Sequence, residues 1–311
     1  VETPEFLDRH SLTNLIAKHV QGVENGVGVV STLALAESGT RGNDVLPTDT
    51  TGHRDTVLRL QALGDAGITA PLWCVTRGAV TAGDDLTHPL ASLVWGFGRV
   101  AAQEHTDRWG GLVDLPTEDT AGTARVLASI LAGARAGGED QFAVRGERVL
   151  ARRSTRAPLS RIRPVRRWEP SGTVLVTGGT GALGAHTARW LARRGAEHLL
   201  LVSRRGATSP GAGELEAELR AAGAEVTFAA CDIADRDALG EVLENVPEEY
   251  PLRAVVHTAV SLADGAIDAL TPDQVRRALG AKADGAVHLH ELTRNMDLSA
   301  FVLFSSVSAV F

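Results

Sequence analysis

Short apolar runs alternate along the chain with longer amphipathic stretches, and this pattern predicts an α/β protein. The short runs indicate buried strands, and apolar residues at helical spacing indicate helices packed against them. Strands that alternate with helices favour a mostly parallel sheet. The length of 311 residues suits two such units.

The first unit is assigned to residues 1–150. The predicted strands are 27–35, 71–76, 111–115 and one or two short strands within 140–150, and the predicted helices are 54–67, 93–103 and 121–134. No glycine turn of the phosphate-binding type follows a strand here, and we interpret Gly96-Phe97-Gly98 as a packing feature of a helix. We therefore expect a Rossmann-like unit without a cofactor site.

Residues 151–171 are predicted to be a linker that is rich in arginine and contains proline. Its arginines are Arg152, Arg153, Arg156, Arg161, Arg163, Arg166 and Arg167. A solvated, extended connector is the simpler interpretation of such a basic run, and contact with an acidic partner is the alternative.

The second unit is assigned to residues 172–311 and alternates regularly. The predicted strands are 173–177, 198–203, 225–231, 254–257 and 300–305, and the predicted helices are 185–194, 212–222, 236–243 and 272–297, the last one broken near Gly280. This is a doubly wound pattern, in which ligands bind at the carboxyl ends of the strands.

A glycine-rich segment between the first strand and the first helix of this unit is the main candidate site. Its candidate binding residues are Thr177, Gly178, Gly179, Thr180, Gly181, Leu183 and Gly184. Glycines let the backbone approach a pyrophosphate, and a helix N-terminus offers N–H groups and partial positive charge. Strand, glycine turn and helix together predict a dinucleotide site.

The ends of the next two strands extend this prediction. Ser203, Arg204 and Arg205 follow the second strand, where an arginine favours the 2′-phosphate of NADP over NAD. The alternative is an exposed basic turn. Asp232 and Ile233 follow the third strand, where a carboxylate could accept the adenine amino group; the alternative for Asp232 is a cap on the following helix.

Polar residues also follow the last two strands. His257, Thr258 and Ala259 end one strand, beside the expected path of the nicotinamide. Ser306 follows the next strand, where a hydroxyl can donate a hydrogen bond to an oxygen that gains negative charge. The alternative is a serine that only begins a turn.

Composition narrows the functional class. The net charge of −7 argues against broad nucleic-acid binding, and no apolar run is long enough to span a membrane. Without a visible signal peptide, Cys74 and Cys231 are predicted to be buried reduced thiols in a cytosolic protein.

Only two of the 31 basic residues are lysines, Lys18 and Lys282. A retained lysine can mark a place where a compact ammonium is needed.

The second unit resembles the ketoreductase domain of a modular polyketide synthase, in the short-chain dehydrogenase/reductase superfamily. The segments that carry the resemblance are 177–184, 203–205, 231–232, 257–259, 281–286, 289–292 and 301–306. In the first unit, the segments 71–79, 93–100 and 109–116 resemble the structural subdomain that precedes the catalytic one in these synthases.

The resemblance implies NADPH-dependent reduction of a β-ketoacyl thioester on an acyl carrier protein, beside neighbouring synthase domains and without a metal. Ser306 matches the catalytic serine that orients the carbonyl. Lys282 matches the catalytic lysine, which binds the nicotinamide ribose and favours deprotonation of a tyrosine. The alternatives are a redox-silent or epimerising domain and a sugar-nucleotide epimerase or dehydratase of the same fold.

The chain also departs from the family pattern. The family's tyrosine would follow Ser306, but the only tyrosine is Tyr250, which is predicted at the wrong end of the sheet. We therefore expect the sequence to be incomplete at its end and truncated at its start. Val260 replaces a usual glycine, and Leu262-Ala263-Asp264 only partly matches a stereochemical motif. The stereochemistry, the polyketide and the oligomeric state are left open.

Overall fold

The described residues form two five-stranded sheets. A computed structural model describes residues 8–20, 28–36, 51–118, 122–156 and 168–307, without the side chains of 51–52 and 134–137. The first sheet is built from residues before the predicted linker, and the second from residues after it. The predicted α/β fold class with two Rossmann-like units is confirmed.

The first sheet has the strand order β1-β2-β3-β4-β5. Its strands are β1 (Val29–Ser31), β2 (Leu72–Arg77), β3 (Trp109–Leu115), β4 (Gln141–Arg145) and β5 (Arg148–Ala151). The helices are α1 (Arg9–Val20), α2 (Leu33–Ala36), α3 (Thr51–Asp65), α4 (Ser92–Glu104) and α5 (Thr123–Gly137). All neighbouring strands are parallel except β4 and β5, which form an antiparallel hairpin.

One detail of the first unit differs from the sequence prediction, and another agrees with it. The predicted strand 27–35 is wrong in its second half, because β1 ends at Ser31 and the Leu-Ala-Leu-Ala run forms α2. An apolar run alone does not separate a strand from a buried helix. Gly98 lies in α4, where a Cβ would come within 2.7 Å of the Trp109 ring, so this glycine serves helix packing as predicted.

The second sheet has the order β10-β9-β6-β7-β8, and all its neighbouring strands are parallel. Its strands are β6 (Thr173–Thr177), β7 (His198–Ser203), β8 (Glu225–Ala230), β9 (Leu252–His257) and β10 (Ala300–Leu303). The helices are α6 (Ala182–Arg193), α7 (Ala212–Ala221), α8 (Arg236–Glu244), α9 (Pro272–Leu279) and α10 (Gly285–Thr293). The order reverses between β6 and β9, and this switch point is where such sheets bind ligands.

Alternating strand residues build a separate apolar core on each face of the second sheet. Val174 and Val176 of β6 belong to one buried cluster, whereas Leu175 belongs to the cluster on the other face. Helices therefore cover both faces, and the strand ends are left for a site.

Three features of the second unit affect the site. The predicted helix 272–297 is interrupted, as expected near Gly280, by a π-helical turn, Gly280–Asp284. β10 ends at Leu303, so Ser306 follows the strand in irregular structure. Leu303 and Phe304 are exposed at the β10 edge of the sheet. The expectation that the sequence is incomplete stays a prediction.

Cys74 and Cys231 are buried free thiols, as predicted, and burial raises the pKa of Cys74 to about 12 and that of Cys231 to about 11. Within the described parts of the chain, no helix is long and apolar enough to cross a bilayer.

Candidate functional site

The glycine turn after β6 is held in a tight conformation. Gly178 has φ +64°, and a Cβ there would lie 2.9 Å from the Ala259 Cα. A Cβ on Gly184 would lie 2.1 Å from the Gly178 carbonyl oxygen. The Gly181 N–H donates to that same oxygen at 2.8 Å. Glycine is therefore required where the turn packs against the β9 end and the first turn of α6.

The turn leads into a helix end that is suited to an anion. Gly181 is the N-cap residue of α6, and no side chain in the described residues caps this helix. The first N–H groups of a helix have no partner within the helix. Gly179 packs against β7, where a Cβ would lie 2.8 Å from the Leu201 Cβ, and its N–H donates to the Val202 carbonyl at 3.2 Å. Leu183 is exposed on the first turn of α6. The N–H groups of this first turn fit the pyrophosphate of a dinucleotide.

The β7 end is joined to the glycine turn through a serine that the sequence analysis missed. Ser209 is buried, and its hydroxyl lies 3.1 Å from the Thr180 hydroxyl and 3.4 Å from that of Ser203. Arg204 and Arg205 follow Ser203 and are exposed. Ser209 follows the strand by six residues and matches no motif, so only its burial identifies it.

Asp232 and Ile233 follow β8 and have different environments. Asp232 is exposed and accepts from the Ala234 N–H at 3.1 Å. The suggested alternative, that Asp232 caps α8, is wrong, because Asp235 is the N-cap and accepts from the backbone N–H groups of Asp237 and Ala238. Ile233 is buried, and its carbonyl bonds to the His288 ring at 3.2 Å. Ile233 therefore contacts α10, the helix that follows the π-turn.

His257, at the end of β9, bonds to the end of β6 and to the π-turn, and these two bonds define its tautomer. Its Nε2 lies 3.3 Å from the Lys282 carbonyl oxygen, which can only accept, so Nε2 carries the proton. Its Nδ1 then accepts from the Thr177 hydroxyl at 2.7 Å, and that hydroxyl accepts from the Ala259 N–H at 3.3 Å. Burial lowers the pKa of His257, against the opposing effect of its backbone hydrogen bonds. Thr258 adds a hydrogen bond to the Thr177 carbonyl at 2.7 Å.

Lys282 lies in the π-turn and is exposed. Its main chain is tied to the β9 end by the His257 bond, so the turn has a fixed place relative to the glycine segment. Such single π-turns often occur at functional sites.

Ser306 reaches the same edge of the sheet through strand pairing. Leu303 of β10 pairs with His257, and the Phe304 N–H donates to the His257 carbonyl at 3.0 Å. Ser306 follows two residues later and is exposed. Tyr250 lies at the opposite end, where its ring stacks on His198, with 5.7 Å between the ring centroids. The structure thus places Ser306, but not Tyr250, at the candidate site.

Two family models match the chain. The KR domain matches residues 172–311. The Rossmann fold domain of the polyketide synthase extender module SpnB matches residues 6–153.

Relatives and solved structures agree with these matches. The chain is 54% identical over 253 residues to the pikromycin polyketide synthase component PikAIII of Streptomyces venezuelae, covering 81% of this chain and 16% of that protein. A structure of A-type ketoreductases from a modular polyketide synthase is 49% identical, with a TM-score of 0.84, covering 98% of this chain and 64% of its own. A C2-type ketoreductase from a modular polyketide synthase is 42% identical, with a TM-score of 0.85, covering 100% and 66%. The fold therefore does not separate the two types.

Proposed function

Because the chain belongs to the ketoreductase family of modular polyketide synthases, we propose that it reduces a β-ketoacyl thioester to a β-hydroxyacyl thioester with NADPH. The thioester would be carried by an acyl carrier protein, with other synthase domains as neighbours in the cytoplasm. The large size of the relatives supports this setting, since the chain spans only 16% of the PikAIII component.

The observation that carries the proposal is the joined arrangement of the glycine turn, His257 and Lys282. The uncapped start of α6 would hold the pyrophosphate. Arg204 and Arg205 would bind the 2′-phosphate, Asp232 would accept the adenine amino group, and Thr258 and Ala259 would flank the nicotinamide.

Reduction adds a hydride to the ketone carbon and a proton to its oxygen. NADPH, when bound, supplies the hydride and leaves as NADP⁺. Ser306 would donate a hydrogen bond to the ketone oxygen and so stabilise the charge that develops there. Lys282 would bind the nicotinamide ribose, and its charge would lower the pKa of the proton donor. The family resemblance implies that this donor is a tyrosine other than Tyr250.

The test uses the native polypeptide that contains this chain, with NADPH titration and turnover of a β-ketoacyl thioester surrogate. Ser306→Ala and Lys282→Met are each expected to lower kcat about a hundredfold or more, since each would remove a group proposed to contact the reacting atoms or the cofactor. Lys18→Met removes the only other lysine, and Ser171→Ala removes another exposed serine; both should leave kcat unchanged. Unchanged turnover in Ser306→Ala and Lys282→Met would contradict the assigned roles.

The same titration separates the redox-silent alternative. NADPH binding by the unaltered protein without turnover would support a silent or epimerising domain.

A further inference from the structure

The segment that leaves the candidate site enters the core of the other unit. After Ala259 the chain runs through residues 260–266, a largely exposed stretch that we call the strap, in which Leu262 is 76% exposed. A 3₁₀ turn, Ile267–Ala269, follows. Ile267 is only 1% exposed and belongs to the same buried cluster as Leu60 and Trp95 of the first unit. A residue of the second unit is therefore part of the first unit's core.

Polar groups of the first unit bind the backbone of this turn, which we call the anchor turn (residues 267–270). The buried Gln61 side chain donates to the carbonyls of Ile267 at 2.6 Å and Leu270 at 3.0 Å. The Glu104 carboxylate accepts from the Ile267 N–H at 2.7 Å. Arg9 donates to the Asp268 carbonyl at 2.6 Å. Loss of a buried donor would leave these carbonyls without a partner, so the turn has one strongly favoured position.

Both flanks of the anchor turn lead to the candidate site. On one side, the strap joins it to Ala259, whose N–H is bound to Thr177. On the other side, Thr271 caps α9 with a capping box. α9 then continues without a break into the π-turn that carries Lys282. Only the eight residues of α9 separate the anchor turn and its capping residue from the π-turn, so a shift of the anchor turn would reach Lys282 through this one short helix.

The geometry points to Gln61 and Ile267 as positioning residues for the reduction: the first unit holds the anchor turn, and the anchor turn places the strap and Lys282 around the reacting ketone. This inference rests on the proposed function. The glycine turn and Arg204 are instead positioned by β6 and β7. Loosening the anchor turn should therefore disturb the ketone and Lys282 more than binding of the NADPH phosphates.

The experiment compares two anchor variants with a control in the native polypeptide. Ile267→Ala removes the buried side chain, and Gln61→Met removes the two hydrogen bonds while keeping a similar shape. Val144→Ala creates a cavity in the first unit's other apolar cluster, away from the anchor turn. We measure kcat, KM, the diastereomer ratio of the hydroxy product, the Kd for NADPH and the free energy of unfolding.

Both anchor variants are expected to lower kcat about tenfold and to change the diastereomer ratio, with the NADPH Kd changed less than about threefold. Val144→Ala is expected to lose stability with kcat and product ratio unchanged. If Gln61→Met folds and keeps both kcat and product ratio, the inference is overturned. It is also overturned if Val144→Ala changes them to the same extent.

Hydrogen exchange tests the inference independently of turnover. The amides of residues 273–284 should exchange at least about tenfold faster in both anchor variants than in the unaltered protein or in Val144→Ala. Unchanged exchange there would overturn the inference even if the protein reduces no ketone. Failure of reduction in the unaltered protein, with the expected exchange, would contradict only the proposed function.

Discussion

The two units share a parallel-sheet design, but their strand ends are organised differently. In the first unit, polar groups near the carboxyl ends of β2 and β3 bond to one another. The fully buried Asp114 accepts from the Thr76 hydroxyl at 2.7 Å and from the Ala79 N–H at 2.9 Å. Its other oxygen bonds to Arg145 at 2.9 Å. The Asp114 carboxylate is therefore satisfied by neighbouring protein groups, and its burial has a structural explanation.

In the second unit, the corresponding strand ends are open. Among the described residues, no side chain caps the helix after β6, and Arg204 and Arg205 at the β7 end are exposed. The comparison teaches that the fold alone does not make a cofactor site. Under the proposed function, the cofactor site would arise where glycines keep the backbone close and the first N–H groups of α6 are left for a ligand.

The largest expected effect comes from breaking the closed strand end. Asp114→Ala removes the fully buried carboxylate that binds Arg145, Thr76 and the Ala79 N–H, and should destabilise the protein by about 3–5 kcal/mol. Urea unfolding measures this loss, and NADPH titration should show an unchanged Kd. Asp84→Ala removes an exposed carboxylate from the same arginine and should cost less than about 1 kcal/mol. A tenfold weaker NADPH affinity in folded Asp114→Ala would show that the first unit contributes to cofactor binding.

The next effect comes from filling the open strand end. Gly178→Ala imposes a left-handed φ on alanine and forces its Cβ against Ala259, so we expect about 2–5 kcal/mol of destabilisation and loss of NADPH binding. Gly195→Ala has a similar positive φ of +86°, but no atom lies within 4 Å of its Cβ. It should cost only about 1–2 kcal/mol and keep the NADPH affinity. Equal losses in the two variants would show that the close approach to Ala259 is unimportant.

Much of the second unit could be predicted from the sequence because its strands are short apolar runs bounded by glycine and polar residues. β6 and β7 begin and end at the predicted residues. The first unit was harder, since the Leu-Ala-Leu-Ala run of α2 extends the apolar pattern of β1 into a helix.

The candidate site was predictable where a local motif carries the chemistry, as in the glycine turn. Contacts between distant segments were not. Nothing local shows that His257 bonds to the Lys282 carbonyl, or that Ile267 enters the core of the other unit. Both depend on packing between elements that are far apart in the sequence.

A smaller effect is expected from the exposed cations at the open strand end. Replacing both Arg204 and Arg205 with glutamine should weaken NADPH binding about tenfold to a hundredfold and leave NADH binding almost unchanged. Titration with both cofactors measures this preference. Arg193→Gln removes another exposed arginine, in the last turn of α6, and should change neither affinity. Equal weakening of NADPH and NADH would contradict recognition of the 2′-phosphate.

The smallest effect is expected from replacing the two buried histidines that lie at opposite ends of the second sheet. Burial lowers the pKa of His257 at the site and of His198 at the opposite end. Unfolded histidines bind protons near pH 6.5, so the free energy of unfolding should fall as the pH drops below about 6.5 towards the lowered folded-state pKa values. His257→Leu and His198→Leu should each remove part of this fall in urea unfolding between pH 7 and 5. His257→Leu should also lower kcat, because the His257 ring bonds to the Lys282 main chain and His198 lies at the opposite end of the sheet. An equal loss of kcat in His198→Leu would show that the two ends of the sheet are not functionally distinct.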